Sequence, residues 1–184
     1  MKILDELRLA LAAAKEEGKG EKSDVSRIAV TMSKQQIEFK VGDTRLLSRL
    51  IDGKFPNYEQ IVPKEHGTRI RFPVGDLLPA VKRMHYFAKE VNNTLTFHVE
   101  PSGQVRIATP QTPVGKDEAS LTGEVDGNGS KIALSSSYLL DFLNHVDSTD
   151  IEMRMTDAQK PAVFAVPGDV QYMHLIMPLR MTEE

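Results

Sequence analysis

The side chains able to do chemistry in this sequence are scattered. Five histidines stand at His66, His85, His98, His145 and His174, and no two are three or four residues apart. A helix needs that spacing to turn two imidazoles toward one metal ion, so surface or half-buried histidines explain the pattern better. The absence of cysteine excludes thiolate zinc sites, iron–sulfur clusters, disulfides and thiol nucleophiles. Gly18-Lys19-Gly20 and Gly127-Asn128-Gly129 are glycine-rich, but neither follows a strand and opens a helix as a phosphate loop must. They read as turns. No G-x-S-x-G elbow is present, and Ser135-Ser136-Ser137 reads as a helix start with Ser136 or Ser137 as its cap. Carboxylates are plentiful, yet nothing in the sequence brings two together. The expectation is a binding or scaffolding protein, with no catalytic residue, no metal and no cofactor.

The elements that must position such a binding surface are plainer. At 184 residues, with 40% hydrophobic and 27% charged side chains, the chain can bury a core without covalent staples. The net charge of −3 neither demands nor forbids a nucleic-acid partner; only a local basic patch decides that. No run of 18 apolar residues occurs, and Asp5, Glu6 and Arg8 interrupt the N-terminal stretch before it resembles a signal peptide. A soluble, cytoplasmic protein with no membrane partner is expected.

Apolar residues at helical spacing predict three helices: 2–16, with Ile3, Leu4, Leu7, Leu11 and Ala14 inward; 75–88, with Leu77, Leu78, Val81 and Met84 inward; and 138–146, with Leu139, Leu140, Leu143 and Val146 inward. Pro79 fits the second only in its first turn, where backbone N–H groups have no intrahelical acceptor. Three strand-like segments follow each helix. After the first come 28–32, 37–41 and 46–50; after the second, 95–99, 105–107 and 118–125; after the third, 151–155, 161–166 and 171–178. The second and third helices also have a strand before them, 68–72 and 131–135.

The chain therefore repeats a strand–helix–strand–strand–strand unit, two and a fraction times. Leu77-Leu78 and Leu139-Leu140 lie 62 residues apart, whereas Ile3-Leu4 and Leu77-Leu78 lie 74 apart. The surplus matches the turn- and proline-rich segment 52–63, a linker. The organisation expected is half of one domain plus linker over 1–63 and a complete domain over 64–184. The first unit lacks its opening strand, which predicts an exposed apolar face, open strand edges and self-association.

The linker carries a resemblance. Leu50-Ile51-Asp52-Gly53-Lys54-Phe55-Pro56-Asn57-Tyr58 resembles the junction of the second and third domains of bacterial sliding clamps, the beta subunit of DNA polymerase III. Ser137-Tyr138-Leu139-Leu140-Asp141-Phe142-Leu143-Asn144 is similar to the last helix of that subunit. Met177-Pro178-Leu179-Arg180-Met181 is similar to its C-terminal strand and tail. The three motifs keep their order and spacing across nearly the whole chain. The resemblance implies an α+β DNA-clamp fold of repeated β-α-β-β-β half-units, here the second half of the middle domain and the entire C-terminal domain.

What the family implies for function follows residue by residue. A clamp subunit pairs head to tail in a ring that encircles double-stranded DNA without reading sequence and acts as a processivity factor, not an enzyme. Basic side chains on the helices face the phosphates; here these are Lys2, Arg8, Lys15, Lys82 and Arg83, each of which also suits a merely solvated helix face. A groove beside the C-terminal domain captures short peptides of DNA polymerase III and clamp-loader subunits. It corresponds to Pro56, Ile61, Tyr138, Leu175, Ile176, Met177, Pro178, Leu179, Arg180 and Met181, some of which also suit a core. Gln60 and Pro161 depart from the residues usual at their positions. Tyr86 and Phe87 correspond to a subunit interface. Relative to the family, the first domain and half of the second are absent, so a conventional two-subunit ring is not expected from this chain alone. The alternative is a freestanding clamp-like module or decoy that binds clamp partners without encircling DNA.

Overall fold

The computed structural model describes the backbone of residues 2–17 and 27–181, with side chains described for 3–13 and 27–181. The chain forms two compact units, Met1–Pro56 and Asn57–Glu184.

In the first unit, helix α1 (Lys2–Glu17) packs on two strands of a three-stranded antiparallel sheet, β1 (Ala29–Met32), β2 (Gln36–Val41) and β3 (Thr44–Arg49), in the order β1-β2-β3. Among the described residues, Leu7, Ala10 and Val41 are its buried apolar ones. Leu4, expected inward, is 69% exposed: Ala10 takes part in the buried stripe instead, with Leu7 and the half-buried Ile3 and Leu11. Every residue of β1 is exposed, including Val30 and Met32.

The second unit opens with a 3-10 turn at Tyr58–Gln60 and holds two interlocked half-units. The first is β4 (Thr68–Pro73), α2 (Val74–Ala88), β5 (Thr94–Val99), β6 (Gln104–Ala108) and β7 (Glu118–Thr122). After a short β8 (Glu124–Gly127) comes the second: β9 (Ser130–Ser135), α3 (Ser136–Leu143), β10 (Asp150–Met155), β11 (Ala162–Ala165) and β12 (His174–Ile176). Each half lends its opening strand to the other. β4 joins the strands of the second half in a sheet β12-β11-β10-β4-β8, and β9 joins those of the first in β7-β6-β5-β9. Alternation along β4, β5, β6 and β10 turns Ile70, Phe72, Leu95, Phe97, Val105, Ile107, Ile151 and Met153 into one core, which α2 and α3 close by packing on each other. By the same repeat, β1 corresponds to β5 and β10. Those two strands are paired on both edges, whereas β1 pairs only with β2 among the described residues.

Four local expectations are corrected. The segment 118–125 is two strands in different sheets, divided at Gly123. The last strand covers only His174–Ile176 of the expected 171–178. Pro79 is the sixth residue of α2, not in its first turn; the carbonyl it deprives of an intrahelical donor is that of Gly75, and both residues sit on the exposed side of the helix. Ser135 is the cap residue of α3 and makes no side-chain capping bond, while Ser136 is fully buried with its Oγ 2.8 Å from His85 Nδ1 on α2. The Ser136 N–H donates to the Asn93 carbonyl at 2.8 Å, and Asn92 and Asn93 take left-handed φ values of 55° and 57° to turn the chain from α2 into β5.

Candidate functional site

The groove residues expected near the C-terminus are set by α3, β12 and the extended tail. α3 packs on β12 as well as on β9. Its amphipathic spacing buries Leu139, Phe142 and Leu143 and leaves Tyr138 outside, 60% exposed. β12 pairs with β11 in the register Leu175↔Val163, and the chain runs on as a tail whose Leu179 N–H donates to the Ala133 carbonyl of β9 at 2.8 Å. Met177 is 57% exposed, Leu175, Pro178 and Leu179 are half-buried, and Ile176 is a core residue at 1%. Tyr138, Leu175 and Met177 are therefore not interior packing, while Ile176 supports the surface from below. Arg180 is exposed and Met181 half-buried.

Three neighbours went unmarked in the sequence. Val170 is 97% exposed, Tyr172 43% and Met173 47%. Tyr172 and Met173 were absorbed into the expected strand 171–178, and Val170 lies just before it. Phe142 anchors this region from below. Its ring centroid lies 5.2 Å from His174, 6.2 Å from Tyr172 and 5.5 Å from Phe164, with the first two rings nearly parallel to it. An exposed apolar surface that includes two methionines, with Tyr172 and His174 stacked on Phe142, is suited to hold apolar peptide side chains. Ile61 caps the 3-10 turn, 39% exposed, in the second unit; Pro56 is exposed in the first.

The expected DNA-facing cations fare differently. Arg8 and Lys82 are exposed. Arg83 is engaged by Asp117 through Nε–Oδ2 at 2.7 Å and Nη2–Oδ1 at 3.3 Å, a bidentate pair that fixes the fork and offsets its charge. Asp117 accordingly raises the Arg83 pKa. The side chains of Lys2 and Lys15 lie outside the described residues. Tyr86 is 70% exposed and meets the half-buried Phe87 edge-to-face, with centroids 5.6 Å apart.

The His174 imidazole, stacked on Phe142, is partly buried. Burial lowers its pKa from the ordinary 6.5, outweighing the Tyr138 backbone and Asp141, which raise it. His85, by burial and then Lys89, and His66, by burial and then Arg154 and Arg69, shift the same way. A depressed histidine makes the folded state bind fewer protons than the unfolded chain between the folded pKa and 6.5. The stability is present above 6.5 and is lost as pH falls through 6.5 toward the folded value. We expect the urea midpoint to drop between about pH 7.5 and 5.5, and His174→Gln to flatten part of that slope. A midpoint constant over this range would show that the three imidazoles titrate alike in both states.

Comparison with known proteins bears on the family and the fold. The family model for the DNA polymerase III beta subunit, C-terminal domain, matches residues 59–180, and the chain belongs to that family. The beta sliding clamp of Synechocystis is 30% identical over 155 residues, covering 84% of this chain and 40% of the relative. That of Bacillus subtilis is 27% identical over 155 residues, covering 83% and 41%. The crystal structure of the DNA polymerase sliding clamp from Bacillus subtilis superposes with a TM-score of 0.70 at 25% identity, over 84% of this chain and 41% of that one. The DNA polymerase III subunit beta from Pseudomonas aeruginosa reaches 0.71 at 21% identity, over 84% and 42%, which speaks for the fold alone. The chain thus spans about 40% of the length of the curated relatives it matches, and its interlocked β-α-β-β-β half-units are the α+β clamp fold.

Among the described residues, no helix is long and apolar enough to cross a membrane.

Proposed function

We propose that this chain acts as the C-terminal portion of a DNA polymerase processivity clamp, a binding component without catalysis. Its own contribution is the capture of short peptides from DNA polymerase III and clamp-loader subunits. The observation that carries this reading is the exposure of Tyr138 on α3 and of Met177 just after β12, two elements in mutual contact, where the His174 ring of β12 stacks on the buried Phe142 of α3. Apolar side chains held in water by an ordered framework favour a partner that covers them. Encirclement of double-stranded DNA belongs in this reading to a larger ring of clamp domains, to which Arg8 and Lys82 contribute positive charge. Tyr86 and Phe87 contribute an aromatic contact to the neighbouring subunit.

The test is titration of the full chain with a fluorescent peptide carrying Leu and Phe anchors. Saturable binding in the micromolar range is expected, about −8 kcal/mol at 1 μM. Met177→Ala and Tyr138→Ala should each weaken it about fivefold or more, the usual loss for a partly buried anchor. No saturation at high micromolar peptide would overturn the reading.

A further inference from the structure

The face of the β7-β6-β5-β9 sheet that points away from the core carries a concavity of about 1010 Å³, lined in part by Lys131, Arg106, His98, Lys116 and Arg180. We propose that this concavity docks an acidic, extended segment of a partner protein. The proposal goes beyond the apolar capture described above, with which it shares only Arg180 and Met181.

The strand register builds the site. His98 on β5 lies directly opposite Arg106 on β6 and Lys131 on β9, so the three side chains form one row across three strands on one face. Arg106 and Lys131 thus flank His98 on the same face, two strand spacings or about 10 Å from each other. A chain with a net charge of −3 has carboxylates to spare for such a row, yet Lys131 has no ion-pair partner among the described residues. Four formal cations line the concavity against two carboxylates, Asp117 and Glu118. Both carboxylates are already engaged: Asp117 by Arg83 at 2.7 Å, and Glu118 by Arg106 at 3.8 Å. The remaining positive field is open to an anion from outside.

The chemistry of the lining selects the class of anion. Apart from the His98 imidazole, no aromatic ring lines the concavity, so unpaired nucleobases have no platform to stack on. Thr94 and Thr96 continue the same face of β5 and supply hydroxyls to carboxylates or to a peptide backbone. Four strands at ~4.8 Å spacing span about 15 Å, matched by roughly five extended residues.

The probe is a fluorescent peptide of alternating Glu and Ser, free of apolar anchors, titrated against the full chain at low and moderate salt. Saturable binding that weakens with salt is expected. Lys131→Glu and Arg106→Glu should each weaken it at least tenfold. Lys160→Glu, an equal change of charge on the loop between β10 and β11, should leave affinity within about twofold, since its effect is screened. Lys131→Ala, weakened about threefold or more, serves if either reversal fails to give the parent melting curve. Absence of binding at low salt would overturn the proposal. So would equal loss in Lys160→Glu and Lys131→Glu, or tighter binding of an oligothymidine of the same charge. The probe carries no apolar anchor, so none of these results bears on peptide capture at Tyr138 and Met177.

Discussion

Phe142→Ala is expected to remove about 3–5 kcal/mol from the stability of the second unit, the usual cost of truncating a buried phenylalanine. The ring is 1% exposed and stands where four elements meet. It lies on α3, contacts Phe164 of β11 and His174 of β12, and carries Tyr172 from the loop before β12. Truncation opens a cavity among the rings of Phe164, Tyr172 and His174, in a close-packed core that relaxes only in part, so the transfer loss and the cavity term add. Tyr172 and His174 also lose the surface that holds them. Affinity for the apolar-anchored peptide should therefore fall together with stability. Phe142→Leu, which keeps most of the volume, should cost only about 1–2 kcal/mol. Urea unfolding of the three proteins measures the series. A loss under about 1 kcal/mol for the alanine variant would show that the ring is not the support described here.

Gly123→Val is expected to cost about 3 kcal/mol or more, as overpacking against backbone does. Gly123 is the corner at which the chain leaves the β7-β6-β5-β9 sheet and enters β8 of the other sheet. A Cβ there would lie 2.7 Å from the Arg71 carbonyl oxygen and 3.0 Å from Ile70 Cγ2, both on β4. The first contact is with backbone, which cannot step aside without shifting the pairing of Arg71 with Glu124. The Gly123 N–H donates to the Gly103 carbonyl at 2.9 Å, and displacement would strain that bond as well. A comparison isolates the steric cause. Gly75, in the exposed first turn of α2, has nothing within 4 Å of a built Cβ, so Gly75→Ala should be neutral or stabilising by up to about 0.5–1 kcal/mol. If Gly123→Val unfolds at the parent urea concentration, the two sheets do not meet at this corner as described.

Short-range pattern in the sequence determined a good deal of this protein. The period of apolar residues sets the three helices and most strands, because a side chain's face depends only on its position along its own element. The 62-residue repeat and the linker motif made the clamp family legible, as did the helix around Tyr138 and the Met177–Met181 tail. Tertiary structure alone decided the pairing. Nothing local to β4 or β9 says that each joins the other half's strands, since an antiparallel ladder is specified by a partner distant in the chain. The division of 118–125 at Gly123 has the same origin: alternation continues through the glycine, and only the approach of β4 shows why it stands there. Exposure was equally undecided by pattern. Leu4 and Leu7 belong to one helical stripe, yet only Leu7 is covered; Ile176 and Met177 are adjacent, yet one is core and the other surface. Charge followed the same rule. Arg83 and Lys82 read alike in sequence, and only the fold brings Asp117, 34 residues away, to hold one of them. The row of Lys131, His98 and Arg106 exists because three separate strands came into register, and register is a property of the assembled sheet.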